Sequence, residues 1–281
     1  MTSTQEKFNQ LKSNLRQMER VLVAFSGGVD STFLLATARD VLGPAAIGVT
    51  ERSEVFPARE LQNAQKIASG LGVEHLIVNN NGLSNNKFCA NPVDRCYWCK
   101  KDLYTRLKKI SKPTEEFQIV DGTNYDDLAD FRPGILAANE EGVGHPLAEA
   151  GLTKEEIRQL ARERGLMNWD KETMACLASR IPYGIKITSE RLKIIEEGED
   201  FLRDLGLKEV RLRLHDDRSA RIEVSKDSMP LLLNHSEEIV EKLKGARLKY
   251  ITLDLQGYRT GSMNEPSGGR ADLKVRLYKT T

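Results

Sequence analysis

The sequence predicts an α/β fold, in which helices cover a parallel sheet, followed by a smaller α+β domain. Three observations lead to this prediction. Strand-like and helix-like segments alternate over the first two-thirds of the 281 residues. Residues 21–25 form a continuous apolar run, which is typical of a strand buried on both faces. After residue 188 the order changes, because two strands of alternating polarity follow one another directly.

The first domain is predicted to span residues 1–185. Its strand at 21–25 leads through a glycine turn into a helix with apolar residues at helical spacing, which Gly43 and Pro44 end. This strand–helix–strand order implies right-handed crossovers and parallel strands. The other predicted elements are a strand at 45–50, a helix from Pro57 that Gly70 and Gly72 close, strands at 75–78 and 117–120, and a helix begun by a Thr153–Glu156 capping box.

The second domain is predicted to span residues 186–264. It contains a helix at 189–205 and a hairpin whose polar turn joins the strands 210–214 and 220–224. A helix near 229–243 and a strand at 250–255 complete it. Residues 265–281 are polar and glycine-rich, so we expect a loosely held tail.

The composition indicates a globular protein, which we expect in the cytoplasm. Apolar residues make up 40% and charged residues 30% of the chain. No run of 18 apolar residues is present, which argues against a membrane span, and residues 1–20 lack the apolar stretch of a secretory signal. The formal net charge of +1 argues against a dedicated nucleic-acid binder, which usually has a basic excess.

A candidate nucleotide site lies where the apolar strand meets the first helix. Here Ser26, Gly27, Gly28, Asp30 and Ser31 stand in the order Ser-Gly-Gly-Val-Asp-Ser. The glycines let the backbone approach a ligand, and the N–H groups of the helix start form an anion site. The Asp30 carboxylate is a candidate Mg²⁺ ligand. No Lys follows the glycines, so the loop differs from the GxxxxGK[ST] type, and the alternative is an ordinary glycine-rich turn.

A second polar loop follows the strand at 117–120. It contains Asp121 and Thr123 within the segment 121–127. Because loops at the carboxyl ends of parallel strands meet at the ligand crevice, we expect this loop to face the first one and to contribute both residues to nucleotide binding. The alternative is a solvated turn.

Cysteine chemistry is indicated by a CxxC pair and a third thiol. Cys96 and Cys99 form the pair, and Cys176 follows 77 residues later. The neighbouring basic side chains Arg95, Lys100 and Lys101 favour thiolates. The pattern fits zinc, an iron–sulfur cluster or a thiol pair. Alternatives are a structural zinc that Cys89 completes, Cys89 as a bystander, and Cys176 as a small buried hydrophobe.

Arginines in two parts of the chain are candidate contacts for an anionic ligand. Arg180 follows Cys176 closely and is a candidate clamp for phosphate or carboxylate. In the strand 210–214, Arg211 and Arg213 share one face with His215. On the paired strand, Arg221 and Glu223 alternate with two apolar residues. We expect a small basic surface that grips an anionic substrate, and the alternative is a solvated strand face.

The loop at 26–31 resembles the SGGxDS signature of the PP-loop ATP pyrophosphatase superfamily, and the segment at 121–124 is similar to its DGTN segment. The resemblance implies the PP-loop, adenine nucleotide α-hydrolase-like fold. It also implies an enzyme that cuts ATP between the α and β phosphates and places AMP on a carboxylate or carbonyl oxygen.

Four segments together resemble the LarE family: 26–31, 91–100, 176–184 and 257–264. The resemblance implies an ATP-dependent sulfur transferase of nickel-pincer cofactor biosynthesis, and hence of lactate racemase maturation. Such an enzyme adenylates a carboxylate of pyridinium-3,5-biscarboxylic acid mononucleotide and converts it to a thiocarboxylate.

The resemblance also implies cofactors and site residues. ATP and Mg²⁺ are expected, together with substrate-site roles for Glu199, Arg211 and Arg213. One branch of the family sacrifices the sulfur of a single cysteine, here Cys176, and the other holds a 4Fe-4S cluster on three cysteines. Because this chain has a CxxC as well as Cys176, we expect Cys96, Cys99 and Cys176 to hold a 4Fe-4S cluster.

Three rival functions remain open from the residues. A tRNA-thiolating enzyme of the same superfamily also uses a CxxC and a third Cys, but the near-neutral charge argues against it. An amide-forming synthetase that uses ammonia leaves the cysteines without a role. The third rival is a non-catalytic, zinc-bound nucleotide sensor, which turnover of ATP to AMP would exclude. We expect a small-molecule substrate, no membrane or nucleic-acid partner, and a homo-oligomer.

Overall fold

A computed structural model describes residues 3–110, 117–129, 132–171 and 175–259. The described residues divide into two compact units. Unit 1 contains residues 3–88 and 94–171, and unit 2 contains 89–93 and 175–259. The domain boundary that the sequence predicts near residue 185 stays a prediction. The predicted tail and the end of the 257–264 segment lie outside the described residues.

Unit 1 is built on a parallel sheet, which confirms the predicted α/β fold. Its strands are β1 (Val21–Ala24), β2 (Ala46–Arg52), β3 (Glu74–Asn79) and β4 (Gln118–Asp121), in the order β3-β2-β1-β4. All neighbouring pairs are parallel. The central strand β1 is almost completely buried, because apolar layers pack on both of its faces.

Helices cover both faces of this sheet. The helices between residues 4 and 163 are α1 (Thr4–Met18), α2 (Val29–Leu42), α3 (Ala58–Leu71), α4 (Asn86–Cys89), α5 (Arg95–Ile110), α6 (Pro133–Glu140), α7 (Pro146–Glu149) and α8 (Lys154–Glu163). On one face Phe33 and Leu34 of α2 pack with Leu11 of α1 and Ile157 of α8. On the other face Tyr104 and Leu107 of α5 pack against β1 and β2.

Several elements of unit 1 differ from the predictions made from sequence, and the helices α4, α5, α6 and α7 were not predicted. Helix α1 was not predicted, although a capping box formed by Ser3 and Glu6 begins it and its apolar residues Leu11 and Leu15 are buried. Strand β4 extends to Asp121, one residue further than predicted. The capping box of Thr153 and Glu156 is present at the start of α8, as predicted.

Unit 2 contains α9 (Ser189–Asp204) and a three-stranded sheet of β5 (Val210–Leu214), β6 (Ser219–Val224) and β7 (Tyr250–Leu253). Strands β5 and β6 form the predicted antiparallel hairpin, and β7 pairs parallel to β6. Helix α9 packs closely on β5 at Gly198, where a Cβ atom would lie 2.5 Å from the Leu212 side chain. Any larger residue at this position would therefore force the Leu212 side chain to move.

The helix predicted near 229–243 is wrong as a single element. Two helices occupy this region, α10 (Met229–Asn234) and α11 (Ser236–Gly245), and His235 separates them. Leu232 of α10 and Ile239 of α11 are both buried. Asn, His and Ser at the junction are weak helix formers, and two glutamates favour a new helix start there.

Unit 2 also takes in a short segment from the first half of the chain. The backbone of residues 89–93 pairs with the chain beyond Cys176: Gly184 N donates to Asn91 O at 2.9 Å, and Ile187 N donates to Cys89 O at 2.9 Å. In the part of the chain that is described, no helix has the length and apolar character that a membrane crossing requires.

Candidate active site

The phosphate loop joins β1 to α2 and has a tightly fixed backbone. Gly27 has φ +70°, and a Cβ atom there would lie 3.2 Å from Ala64 Cα of α3. Glycine is therefore required by both its conformation and its packing. Ser31 Oγ donates to Gly28 O at 3.1 Å, and Gly28 N donates to Ser26 Oγ at 3.3 Å. The loop presents the start of α2, with Gly28 as its extended cap residue.

Two residues far along the chain hold this loop, and the sequence reasoning missed both. Asn168 Nδ2 donates to Gly27 O at 3.0 Å and to Thr32 Oγ1 at 2.9 Å. Lys171 Nζ contacts the same carbonyl at 3.3 Å and pairs with Glu60 at 2.6 Å. Asn168 and Gly27 lie 141 residues apart, so no local pattern could have predicted the contact.

Asp30 occupies the first turn of α2 and has one oxygen available for a ligand. Its Oδ2 pairs with Lys154, the first residue of α8. Its Oδ1 is buried and has no hydrogen-bond partner among the described residues. Burial raises the pKa of Asp30, against the opposing charge of Lys154. A buried carboxylate oxygen without a partner is costly, and it suits a hard cation such as Mg²⁺.

Lys154 is a second functional candidate that the local sequence does not reveal. The phosphate loop itself has no lysine, yet the fold brings this ammonium group from 124 residues away to Asp30. The start of α8 is fixed by the Thr153 cap and by a bond from Lys154 N to Asp126 Oδ2 at 2.8 Å. Lys154 therefore supplies a positive charge beside the phosphate loop, although the loop itself contains no lysine.

The second polar loop meets the phosphate loop, as the sheet topology predicts. A Cβ atom on Gly122 would lie 2.8 Å from Ser31 N, so the two backbones are in direct contact. Thr123, the next residue, is buried, and its N–H donates to Asp121 Oδ1 at 3.0 Å. The predicted nucleotide-binding residues of both loops are thus brought together in unit 1.

Asp121 itself is surrounded by protein donors. Tyr104 OH of α5 donates to Oδ2 at 2.6 Å, and His145 Nδ1 lies 2.8 Å from Oδ1. Burial opposes the negative charge, but the hydrogen bond and the charge of His145 outweigh it and hold the pKa of Asp121 well below its usual value. Asp121 therefore fixes the position of Thr123 and also anchors the helix that carries the CxxC.

The CxxC begins helix α5. Cys96 and Cys99 lie three residues apart in the first turns, so they share one helix face, with Cys96 exposed and Cys99 partly exposed. Aromatic and basic side chains surround them: the Tyr97 and Trp98 rings meet edge to face, and Lys87 Nζ lies 4.0 Å from the Trp98 ring centroid. The pair is accessible and can supply two thiolate ligands.

Cys176 belongs to unit 2 and is partly exposed. It caps a short 3-10 turn, Leu177–Arg180. Arg180 is completely buried, and its Nη1 donates to Ala175 O at 2.8 Å and to Cys176 O at 3.1 Å. The other side of the guanidinium group forms a two-pronged pair with Glu199 of α9, at 2.8 and 3.1 Å.

Glu199 is the centre of this buried network. Besides Arg180, it accepts bonds from Leu212 N of β5 at 3.1 Å and from Arg203 Nη2 at 2.8 Å. One carboxylate therefore joins the Cys176 turn, helix α9 and the sheet. The structure brings Arg180, Glu199 and Cys176 together in unit 2.

The expectation that Arg211 and Arg213 form a surface is wrong, because each is only 5% exposed. The alternative of a solvated strand face fails for the same reason. Arg213 pairs with buried Glu223 at 2.9 Å and donates to Ser179 O at 3.0 Å. Sequence reasoning assigned no role to Glu223, which pairs with Arg221 as well, at 2.9 Å.

Arg211 differs from its neighbour in its partners. Its Nη1 donates to Val210 O at 2.9 Å, and its guanidinium lies 4.9 Å from the Tyr258 ring centroid. No carboxylate among the described residues forms an ion pair with it. Burial and the nearby charge of Arg180 lower the pKa of Arg211. A buried guanidinium with an incomplete set of counter-charges attracts an external anion.

Within the four described ranges, no group of three or more His, Cys, Asp or Glu side chains is placed to hold a metal ion. The three cysteines named for a cluster divide between the units, with two in unit 1 and Cys176 in unit 2. The donor chemistry of the CxxC nevertheless suits soft metal ions and iron–sulfur clusters.

Comparison with known proteins gives consistent results. The asparagine synthase family model matches residues 9–97. The chain is 39% identical over 262 residues to an uncharacterized protein of Synechocystis sp., covering 92% of this chain and 97% of the relative. It is 32% identical over 260 residues to an uncharacterized protein of Methanocaldococcus jannaschii, covering 91% and 98%.

The most informative relative is pyridinium-3,5-bisthiocarboxylic acid mononucleotide synthase of Lactiplantibacillus plantarum. The two sequences are 37% identical over 256 residues, which cover 91% of this chain and 92% of that synthase. The similarity extends over nearly the whole length of both chains. Together with a phosphate loop set between a buried parallel strand and a helix, it shows that this chain belongs to the LarE family of PP-loop enzymes and is an ATP-dependent sulfur transferase.

Proposed function

We propose that the protein adenylates a carboxylate of pyridinium-3,5-biscarboxylic acid mononucleotide and converts it to a thiocarboxylate. The observation that carries this proposal is the similarity, over nine-tenths of the chain, to a synthase whose product is a bisthiocarboxylic acid mononucleotide. The phosphate loop supports it, because the loop presents helix N–H groups, serine hydroxyls and an unpaired Asp30 oxygen at one point.

Adenylation is assigned to the first domain, residues 1–185. ATP phosphates lie against residues 26–31, Thr123 contributes from the second loop, and Asp30 Oδ1 holds Mg²⁺. The substrate carboxylate attacks the α phosphorus, the bond between the α and β phosphates breaks, and pyrophosphate leaves. The carboxylate oxygen is then part of a good leaving group, AMP. Lys154 lies where it can neutralise charge that develops on the departing phosphates.

Sulfur transfer is assigned to Cys176 and to the arginines of residues 186–264. A sulfur nucleophile attacks the activated carbonyl carbon, the carbon–oxygen bond to AMP breaks, and the thiocarboxylate forms. Arg211, which lacks a carboxylate partner, binds the anionic substrate, and Arg213 assists from the same strand face. Arg180 and Glu199 act on the turn that carries Cys176, since the contacts of Arg180 are made to Glu199 and to that turn.

For the sulfur source, we propose that Cys96, Cys99 and Cys176 hold a 4Fe-4S cluster. These three thiolates would hold the cluster, and the bound group would supply a transferable sulfide. The alternative is that Cys176 gives up its own sulfur by cleavage of its Cβ–Sγ bond, which leaves dehydroalanine.

The experiment begins with anaerobic purification followed by iron and sulfide analysis and turnover with ATP. We expect AMP and pyrophosphate, iron bound to the wild type, and repeated turnovers with an added sulfide source. Cys96→Ala, Cys99→Ala and Cys176→Ala should each lose iron and sulfur transfer but keep pyrophosphate release, whereas Cys89→Ala should keep all three. ADP as the main product would contradict adenylation. Absence of iron, with Cys176 lighter by one hydrogen sulfide after a single turnover, would establish the sacrificial alternative.

A further inference from the structure

The segment 89–93, which we call the strap, holds the turn that carries Cys176. Although the strap precedes the CxxC in the chain, it packs as part of unit 2. Its backbone accepts bonds from Gly184 N and Ile187 N, both at 2.9 Å. The strap therefore pairs with the chain at residues 184–187, and this pairing fixes the end of the segment that carries Cys176.

Asn91, in the middle of the strap, makes the most specific contacts. Its side chain is completely buried, and its Nδ2 lies 3.3, 2.8 and 3.0 Å from the carbonyl oxygens of Ile181, Pro182 and Ile185. Its φ of +55° is in the left-handed region, which Asn adopts more easily than most residues. Both the backbone conformation and the amide group therefore favour asparagine at this position.

Other carbonyl oxygens of the turn accept hydrogen bonds from arginine side chains. Arg180 contacts the oxygens of Ala175 and Cys176, and Arg213 contacts that of Ser179. Three side chains from the strap, the turn itself and β5 thus converge on residues 175–185. A backbone held by so many donors has one conformation before any ligand arrives.

We propose that Asn91 is a positioning residue for sulfur transfer: it fixes the turn that carries Cys176. The inference rests on the proposed role of Cys176. Without the amide, the turn beyond Ile181 loses its three shared donor contacts, and the thiol samples positions away from the activated carbonyl. A displacement of about 1 Å can lower a rate on the order of 100-fold.

The decisive variant is Asn91→Gly, because glycine keeps the left-handed backbone and removes only the amide. We expect faster amide hydrogen exchange in residues 177–187, severalfold faster alkylation of Cys176 by iodoacetamide, and a loss of sulfur transfer on the order of 100-fold. ATP-dependent pyrophosphate release should change less than about twofold, because the amide that this variant removes holds residues 181, 182 and 185, whereas Asn168 and Lys171 hold the phosphate loop. Asn91→Asp should be more damaging, since carboxylate oxygens would face three carbonyls.

The matched control is Asn168→Ala. Asn168 is also a buried asparagine whose Nδ2 holds a loop, but its loop is the phosphate loop. This variant should raise the KM for ATP and leave exchange in 177–187 and alkylation of Cys176 unchanged. If Asn91→Gly does not purify as a folded protein, Asn91→Ser, which keeps one hydroxyl donor, carries the same comparison.

Unchanged exchange and unchanged sulfur transfer in Asn91→Gly would overturn the inference. An equal loss of pyrophosphate release and sulfur transfer would also overturn it, because the residue would then serve overall stability alone. Cys176→Ala, measured in parallel, separates the two proposals. If that variant retains sulfur transfer, the role of Cys176 fails, whatever Asn91 does.

Discussion

The phosphate loop and the Cys176 turn are both irregular segments. They differ in how far their polar atoms have hydrogen-bond partners within the protein. In the phosphate loop, Asp30 Oδ1 is buried without a partner among the described residues, and so is Oδ1 of Asn168, which holds the loop. In the Cys176 turn, the carbonyls of 175, 176, 179, 181, 182 and 185 accept bonds from Arg180, Arg213 or Asn91.

The difference indicates two kinds of preorganisation. The phosphate loop keeps open positions that ligand atoms can fill, because unpaired buried polar atoms are costly until a ligand satisfies them. The Cys176 turn keeps none of these carbonyls open, which suits its proposed role of holding a reacting group at a fixed place. A change in the first region should therefore alter activity more than stability, and a change in the second should alter both.

The largest expected effect on stability comes from Glu199→Gln. The substitution leaves Arg180 charged and fully buried without its counter-ion, which typically costs about 3–5 kcal/mol of unfolding free energy. Urea unfolding of the wild type and the variant measures it. The control is Glu197→Gln, which changes an exposed carboxylate on the same helix and should stay within about 0.5 kcal/mol. Equal stability of both variants would show that the turn does not depend on this ion pair.

The second effect concerns the open loop. Asp30→Asn should lower pyrophosphate release at least about 100-fold, since it removes the charge of the proposed metal ligand. Stability at neutral pH should stay equal or rise. Burial raises the folded-state pKa of Asp30, so its contribution to stability is present below the unfolded pKa and is lost as pH rises through the folded pKa. A marked fall in melting temperature at pH 7 would contradict this interpretation.

The smallest expected effect is a difference between Arg211 and Arg213, the two arginines of strand β5. Arg211→Met should weaken binding of an anionic substrate by about 1.5–3 kcal/mol and change stability little, because Arg211 has no carboxylate partner in the described chain. Arg213→Met should weaken binding and also lower the unfolding free energy, since it removes the partner of buried Glu223. Calorimetric titration and thermal unfolding of both variants test the distinction. If both variants changed substrate binding and stability equally, the ion pair with Glu223 would not distinguish the two arginines.

The parts of the fold that were predicted correctly have short-range causes. The β1 strand, the glycine loop and the Thr153 cap are each specified by residues close together in sequence. Helix α1 was missed because its apolar residues are few among many charges, and the break at His235 was missed because an apolar period continues across it. The burial of Arg211 and Arg213 was missed because strand alternation shows which residues share a face but not what covers that face.

The sequence by itself determined the α/β class, the phosphate loop, the cysteine pair and the family, because these depend on local spacing and on residue types within short segments. Only the tertiary structure decided which charges are paired and which remain open. Lys154 reaches Asp30 from 124 residues away, Asn168 reaches Gly27 from 141, and Asn91 reaches Ile181 from 90. The physical reason is that a buried polar group takes whichever partner packing brings to it, and packing joins segments that are distant in the chain.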